Sequence, residues 1–413
     1  MMNLTEPLAQ LSASWSAIDS VRHRHHWTLD QSITFLNHGS FGACPRPVLE
    51  QQQRFRTQLE QEPVRFFTLE LEPLLDRARS ALAEFVGAIP DSLAFVPNAT
   101  TGVNTVLRSL SFKPGDELLT TNHEYNASRN ALNFAAAAAG ATVVVAEVPF
   151  PLAATAAAAE EQMVNAILAK VSARTRLVLL DHVTSQTALI FPIQRLVAQL
   201  KSLGVEVLID GAHAPGQVSL DLDQLGAAYY TGNCHKWLCA PKGAAFLYVR
   251  PDKRESLRPL VISHGANSPR TDRSRFHLEF DWVGTADPTP YLCIPTAIDC
   301  LAALVPGGWP ALMVRNHRLA LAVRQAFCQQ FRQTPLCPEA LISSMAVIAC
   351  PITEAAGLTG LQTRLFERFQ IEIPVIPWSE RQVLIRFSVQ LYNQASDYVA
   401  LAAALTQIQP ESS

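Results

Sequence analysis

The chain has 413 residues, of which 48% are hydrophobic and 17% are charged. This composition excludes a largely disordered chain, and the length suggests one large domain with a smaller one. With 33 basic and 36 acidic residues, the net charge of −3 disfavours nucleic acid as a partner, because phosphate backbones require a basic surface.

The cysteines and the apolar segments indicate a cytoplasmic protein. The 8 cysteines include no CxxC pair, which is typical of free thiols in a reducing compartment and not of a disulfide framework or a metal site. The N-terminal stretch lacks the pattern of a signal peptide, and no apolar run reaches the ~20 residues of a membrane span. We therefore expect no metal and no membrane partner.

Short apolar runs alternate with helical patterns from about residue 90 onward. The runs predicted as strands are 93–96, 117–120, 142–148, 177–183, 205–209, 227–231 and 244–249. They are apolar without a clean alternation, which is typical of strands covered on both faces. The pattern therefore predicts an α/β domain with a mostly parallel seven-stranded sheet between helices.

The regular alternation of strand and helix patterns ends near Pro288. Helical patterns near 291–304, 311–330, 358–369 and 396–408 surround strand patterns at 345–350 and 383–388. We therefore predict an N-terminal arm at 1–32, a large domain at 33–295 and a smaller α+β C-terminal domain at 296–413.

Polar residues follow several of the predicted strands, where ligands collect in open α/β sheets. The segment 98–102, NATTG, opens a helix whose first N–H groups suit a phosphate, although a threonine there is commonly only an N-cap. Asp210 ends one strand, with a turn-forming Asp-Gly as the alternative interpretation, and Lys236 follows the next strand. A carboxylate, an amine and a phosphate cradle together suit pyridoxal 5'-phosphate, whose aldehyde forms a Schiff base with lysine.

Ordered motifs along the chain resemble the class V aminotransferase family of fold-type I pyridoxal-phosphate enzymes, and most of all its isopenicillin N epimerase-like branch. The resemblance runs from about residue 33 to near the C-terminus. Its most specific motifs are DGAHAPG and GNCHKWLCAPKG, and the others are NHGSFGACPRPV, PNATTGVN, HEYNA, DHVTSQT, WVGTADPTPY and IRFS.

The resemblance implies a set of cofactor-binding residues in this chain. Lys236 would be the Schiff-base lysine, Asp210 the partner of the pyridinium nitrogen, and Tyr125 the ring that stacks on the pyridine, with His123 as the alternative. Thr285 would reach the phosphate of the other subunit, which implies a homodimer with shared sites. The remaining residues would bind the phosphate or lie near the ring hydroxyl: Ala99, Thr100, Asn233 and His235 for the phosphate, His213 and Ser185 for the hydroxyl.

The resemblance also implies how an amino-acid substrate is held. Arg386 would bind the substrate carboxylate as a two-pronged donor, with a charge at a sheet edge as the alternative. Asn37, His38 and Gly39 would lie near the substrate, with an N-terminal turn as the alternative.

The expected function is chemistry at the Cα atom of an amino acid, resembling the epimerase branch, with Lys236 as the base. An epimerase needs an acid on the opposite face, and the candidates are Tyr125, His38, His123 and Cys234. A cysteine- or cystine-type C–S β-lyase needs none, and is the main alternative, while a transaminase returns the proton to the cofactor.

Two further alternatives are less favoured. A cysteine desulfurase requires a cysteine shortly before the carboxylate-binding arginine, but residues 371–385 contain none, which leaves only Cys350. A protein that binds the cofactor without turnover is disfavoured because both Asp210 and Lys236 are present.

Overall fold

The structure is a computed structural model that describes residues 6–19, 23–352, 358–380 and 382–408. The strands β1 to β12 are, in chain order, Thr34–Phe35, Leu93–Val96, Glu117–Thr121, Thr142–Ala146, Thr175–Asp181, Glu206–Asp210, Tyr229–Asn233, Ala245–Val249, Met345–Ala349, Ile371–Glu372, Val375–Ser379 and Gln382–Ser388. The helices α1 to α16 are Glu6–Ile18, His38–Phe41, Arg46–Gln61, Pro63–Arg65, Leu71–Val86, Ala99–Ser109, Asn126–Ala139, Ala156–Leu168, Ile193–Ser202, Leu222–Leu225, Arg275–Phe280, Thr289–Leu292, Ile294–Ala303, Gly308–Gln330, Leu361–Phe369 and Ala395–Ile408.

A seven-stranded sheet organises the larger part of the molecule, in the order β2-β8-β7-β6-β5-β3-β4. Strand β8 runs antiparallel to both of its neighbours, and the other neighbouring pairs are parallel. This confirms the mostly parallel seven-stranded sheet. Because β3, β5, β6 and β7 are consecutive in the sheet, their carboxyl ends meet at one edge, where the polar residues of the sequence motifs lie.

Helices cover both faces of this sheet, which explains why its strands are apolar without alternation. Successive residues of β5 belong to different cores: Leu177 and Leu179 pack on one face with Val103 of α6, while Val178 packs on the other face with Leu196 of α9. The burial of both faces fixes the positions of the strand ends.

A three-stranded antiparallel sheet, β11-β12-β9, lies in the C-terminal part of the chain, as the expected α+β unit requires. N-terminal segments join this part: β1 pairs in parallel with β10, and α1 packs on α14 and α16. The division at 32 and 295 stays a prediction. None of the helices in the described ranges could cross a membrane alone; the pair Thr289–Ala303 and Gly308–Gln330 passes on length and apolarity together but is bent by 67°.

Candidate active site

The ends of three neighbouring strands, β5, β6 and β7, build one site. Asp181 is the last residue of β5, Asp210 the last of β6 and Asn233 the last of β7, and β5 and β6 are in register at the two aspartates. Lys236 follows β7 in the turn that leads to β8. The structure therefore brings together the carboxylate and the amine that the sequence places 26 residues apart.

The amine of Lys236 lies deep in this site, although part of its side chain remains accessible. Its Nζ atom is 3.1 Å from Nε2 of His213. The pKa of Lys236 falls from 10.5 to about 8, chiefly because of burial; Asp210 acts to raise it, Arg386 to lower it and Asp181 to raise it. The amine therefore loses its proton at a much lower pH than an ordinary lysine does, as a base or nucleophile requires.

Asp210 is buried and held in one orientation. Its Oδ2 atom accepts a hydrogen bond of 2.7 Å from Oγ of Ser128, and its Oδ1 atom accepts one of 3.0 Å from the N–H of Ala212. These donors favour the ionised carboxylate, which is the form that pairs with a protonated ring nitrogen.

The first turn of α6 faces the end of β7. The N–H of Ala99 donates 2.8 Å to Oδ1 of Asn233, and Asn98 caps the helix by accepting from the N–H of Thr101. Thr100, between them, is partly exposed. A helix start with a hydroxyl beside it is suited to a phosphate group.

His235 lies next to Lys236 and keeps one tautomer. Its Nδ1 atom donates to the carbonyl of Ala244 at 2.8 Å, which leaves Nε2 without the proton when the ring is neutral. Burial lowers the pKa of His235 to about 4, so the ring is neutral in the protein without a bound anion.

Arg386, on β12, is a buried cation whose described partners are all neutral. Its Nη1 atom donates to the carbonyl of Ser185, and its Nη2 atom donates to Oδ1 of Asn37 at 3.2 Å and to Oγ of Ser40 at 2.9 Å. Burial lowers the pKa of Arg386 to about 10, so the guanidinium stays charged at neutral pH. A buried positive charge with neutral partners is suited to binding a carboxylate.

Asn37 and Ser185 therefore lie at the carboxylate end of the site. Asn37 also donates from Nδ2 to Oε1 of Glu372 at 2.8 Å, and Oγ of Ser185 is 3.3 Å from Nη1 of Arg386. The expected place of Ser185 near the ring hydroxyl stays a prediction.

His38 lies against the backbone of Lys236. Its Nε2 atom donates 3.0 Å to the Lys236 carbonyl, and Tyr392 donates its hydroxyl proton to Nδ1 at 2.8 Å. Burial lowers the pKa of His38 to about 3. Both ring nitrogens are engaged, so this histidine supports the lysine turn in the structure.

His123 is engaged in the same way. Its Nε2 atom donates 3.1 Å to the carbonyl of Val148, its Nδ1 atom is 2.8 Å from Oγ1 of Thr187, and burial lowers its pKa to about 4. The ring packs 4.5 Å from that of Trp378, between centroids.

Tyr125 and Thr285 differ from the residues above in being exposed. Tyr125 precedes α7, is 44% exposed and lies near enough to Arg386 to raise the pKa of that arginine. Thr285 is exposed, and its neighbours Gly284 and Ala286 line an apolar cavity of about 250 Å³ that reaches Thr101.

Two cysteines of interest are unreactive in this setting. Cys234 is fully buried, and burial raises its pKa far above the usual thiol range. Cys350 follows β9 with its N–H bonded to the carbonyl of Val383, and burial raises its pKa to about 11. Neither thiol ionises near neutral pH.

The sequence prediction missed several residues of the site: Ser40, Glu124, Ser128, Asp181 and Glu372. Glu124 and Asp181 stand inside two of the quoted motifs, HEYNA and DHVTSQT. Their position after apolar runs was the available signal, because a carboxylate at a buried strand end lies at the ligand edge of the sheet.

The residues present fit pyridoxal phosphate and an amino acid. Two buried nitrogen atoms of the site, Nδ1 of His213 and Nε of Arg386, have no partner among the described residues. An amine with a lowered pKa, a carboxylate and a helix start match an aldehyde, a ring nitrogen and a phosphate, respectively. Lys236, Asp210 and the first turn of α6 would hold these three groups.

The chain is similar to known proteins over most of its length. The family model for aminotransferase class V matches residues 36–277. The chain is 34% identical to isopenicillin N epimerase of Amycolatopsis lactamdurans, over 93% of this chain and 97% of the relative. It is 31% identical to putative L-cysteine desulfhydrase 1 of Oryza sativa subsp. japonica, over 93% and 84% of the two chains.

A solved structure, the complex between the cystine C–S lyase C-DES and its reaction product cysteine persulfide, is similar with a TM-score of 0.74. The identity is 23%, and the alignment covers 92% of this chain and 99% of that one, which shows a shared fold. Because the family model spans more than half of the sequence and the relatives align over nearly all of it, the chain belongs to the class V aminotransferase family of fold-type I pyridoxal-phosphate enzymes.

Proposed function

We propose that this enzyme removes the Cα proton of an L-amino acid and eliminates a sulfur leaving group from Cβ, as a cysteine- or cystine-type C–S lyase. Bound pyridoxal phosphate supplies an electron sink for the charge released at Cα. Arg386 would hold the substrate carboxylate, and the Lys236 amine, with its pKa lowered to about 8 by burial, would take the Cα proton.

The observation that carries this proposal is the scarcity of a second acid. Of the four candidates for the opposite face, His38 and His123 have both ring nitrogens engaged, and Cys234 is fully buried. Elimination of a thiolate or persulfide requires one base and no acid on the opposite face. The desulfhydrase and C–S lyase names among the relatives give further support.

Epimerisation is the second candidate, because one observation favours it. Tyr125 is exposed and lies close to Arg386, so it remains available to return a proton from the face opposite Lys236. The 34% identity to an isopenicillin N epimerase also supports this candidate. A cysteine desulfurase is disfavoured, since the half-buried Cys350, with its pKa raised to about 11, lacks the reactive thiolate that sulfur transfer requires.

The proposal includes a homodimer in the cytoplasm. Exposed Thr285 would contact the phosphate bound in the partner subunit. The 8 cysteines are all free, which supports a reducing compartment.

The test is product analysis in heavy water with L-cysteine, L-cystine and a panel of other L-amino acids. The lyase releases pyruvate and ammonia together with sulfide or persulfide. Deuterium at Cα with both enantiomers present, and no pyruvate, would replace the proposal by epimerisation, and the Tyr125→Phe variant would then lose that activity. A new keto acid with the cofactor left as its amine would indicate transamination.

A further inference from the structure

Three carboxyl groups meet behind the site. Asp181 and Asp210 end neighbouring strands, and Glu124 follows β3, the next strand of the sheet. One oxygen atom of each group lies within 4.8 Å of the others. The residues are buried, with exposed fractions of 6% for Glu124, 3% for Asp181 and 2% for Asp210.

The three groups differ in their hydrogen-bond partners. Asp210 has a donor for each oxygen, from Ser128 and Ala212. By contrast, Oε1 of Glu124 and Oδ2 of Asp181 are buried and have no partner among the described residues. A buried ionised carboxylate needs hydrogen-bond donors for its oxygens. The lack of donors at these two atoms therefore disfavours the ionised form of Glu124 and of Asp181.

Neither of the neighbouring cations, Arg129 and Lys236, forms a described hydrogen bond with Glu124 or Asp181. Arg129 donates from Nη2 to the carbonyl of Thr121, and the Lys236 amine is bonded to His213. Burial raises the pKa of Glu124, and Asp210 raises it further, against smaller effects of Thr120, Arg129 and the Tyr125 backbone.

Asp181 is in the same situation. Burial raises its pKa, Glu124 and Asp210 raise it further, and Lys236 and its own backbone act in the opposite direction. Three full negative charges buried this close together would repel each other strongly, and no described residue forms an ion pair with Glu124 or Asp181.

We propose that Glu124 and Asp181 are held as neutral carboxylic acids behind Asp210, so that the single negative charge of the cluster stays on Asp210. The inference rests on the proposed function for one point, the pairing of Asp210 with the cofactor nitrogen. Each neutral acid keeps its proton on its own oxygen. Glu124 and Asp181 are thus positioning residues that act through Asp210.

This arrangement determines how much negative charge lies beside the ring nitrogen of the bound cofactor. A single carboxylate with two neutral acids behind it keeps its negative charge directed at the ring nitrogen. If all three groups were ionised, the repulsion would have to be relieved by a bound cation or by capture of a proton on Asp210. Protonation of Asp210 would remove the charge that holds the ring nitrogen protonated.

The experiment is infrared difference spectroscopy of the purified enzyme, as isolated and after removal of the cofactor. At neutral pH the wild-type protein should show the carbonyl stretch of a protonated carboxylic acid. Part of this band should be lost in Glu124→Gln and part in Asp181→Asn. Glu117→Gln is the matched control, because Glu117 is also buried but bonds to Arg174 and Ser172, which lower its pKa.

Two further measurements keep the inference open to refutation where a variant folds poorly. The band of the wild-type protein should fade as the pH is raised, with no substitution needed. In the loaded enzyme, Glu124→Gln and Asp181→Asn should keep the wild-type absorption spectrum, because the amides mimic neutral acids, while the alanine variants should shift it.

Absence of the acid band at neutral pH in the wild type would overturn the inference. Its appearance only after treatment with a metal chelator would overturn it as well, because the three groups would then bind a cation. If the band is present but Asp210→Asn leaves the absorption of the bound cofactor unchanged, the pairing of Asp210 with the cofactor is wrong while the two neutral acids stand.

Discussion

Lys236 shows what a catalytic amine costs the folded protein. The fall of its pKa from 10.5 to about 8 corresponds to about 3 kcal/mol that favours the neutral form. Below pH 8 the folded protein holds a charged amine where burial disfavours it, and this cost is fully present. Between pH 8 and 10.5 the folded protein releases the proton while the unfolded chain keeps it, so the cost disappears with rising pH.

The Lys236→Met variant should therefore be more stable than the wild type when both lack the cofactor. Near neutral pH we expect a gain of up to about 3 kcal/mol in the free energy of unfolding, which shrinks as the pH approaches 10.5. Urea unfolding at several pH values measures this difference. Lys201→Met, at an exposed position on α9, is the control and should show no such trend. A gain that does not vary with pH would argue against a buried charge at Lys236.

Arg386 makes a different contribution, because its charge is kept for the substrate. The Arg386→Lys variant retains a cation but loses the two parallel donors that match a carboxylate. We expect KM for the amino acid to rise about 100-fold, equivalent to about 3 kcal/mol, with the absorption of the bound cofactor unchanged. Steady-state kinetics with Arg195→Lys, an exposed ion-pair position, as control measures the effect. An unchanged KM would remove Arg386 from the site.

The sequence was enough to predict charged residues that stand beside buried strands. It was not enough to predict residues that contact other site residues and not the cofactor or substrate. A lysine and an aspartate after buried strands contradict the ordinary preference for water, so Lys236 and Asp210 were visible without a structure. Glu124 and Asp181 resemble turn residues in sequence, and only the strand order places them behind Asp210. The contact of Ser185 with Arg386 joins residues 201 positions apart, so it could not be read from the sequence.

At the scale of the element, the long strands were predictable and the short ones were not. Strands β2, β5, β6 and β8 of the large sheet are largely apolar because both of their faces are buried, and the predicted bounds of all seven strands differ by only a few residues from those observed. Strands β1 and β10 contain two residues each, with no periodicity to detect. Their pairing is set by the tertiary structure, which brings residue 34 beside residue 371.

The segment that follows β1 covers the turn that carries the lysine. Gly42 has a φ of +70°, and a Cβ atom there would lie 2.3 Å from the carbonyl oxygen of His235 and 2.7 Å from that of Lys236. These are backbone atoms of the site, so a side chain would displace either the segment or the turn.

We therefore expect Gly42→Ala to cost about 4 kcal/mol or more in the free energy of unfolding and to weaken cofactor binding. Gly204→Ala is the matched control, because Gly204 has a φ of +74° but nothing within 4 Å of the added atom. Strain alone should then cost about 1–2 kcal/mol. Thermal unfolding and titration with the cofactor measure both effects. Equal losses for the two variants would mean that close packing on the lysine turn is unimportant.

At the scale of the molecule, the surface near Thr285 has the character of an interface. Leu260, Val261 and Ile262 are 41%, 54% and 61% exposed, and Val283 is 40% exposed. Three of them, Leu260, Val261 and Val283, line the same apolar cavity as the residues that flank Thr285. A contiguous exposed apolar patch is typical of a surface that is covered by another protein chain, and a second copy would bring its Thr285 with it.

Mixing two defective chains, at a cofactor concentration too low to load the Thr285→Val protein, tests whether the sites are shared. Thr285→Val should weaken cofactor binding, and Lys236→Ala should abolish activity. In a mixed dimer the chain with Thr285→Val supplies an intact Lys236, and its partner supplies an intact Thr285, so one of the two sites is complete. Random exchange should then restore about a quarter of all sites. Ile262→Asp in both chains should abolish this recovery by charging the patch. If Thr285 acted within its own chain, each site would keep one lesion and mixing would restore no activity, although light scattering would still find a dimer.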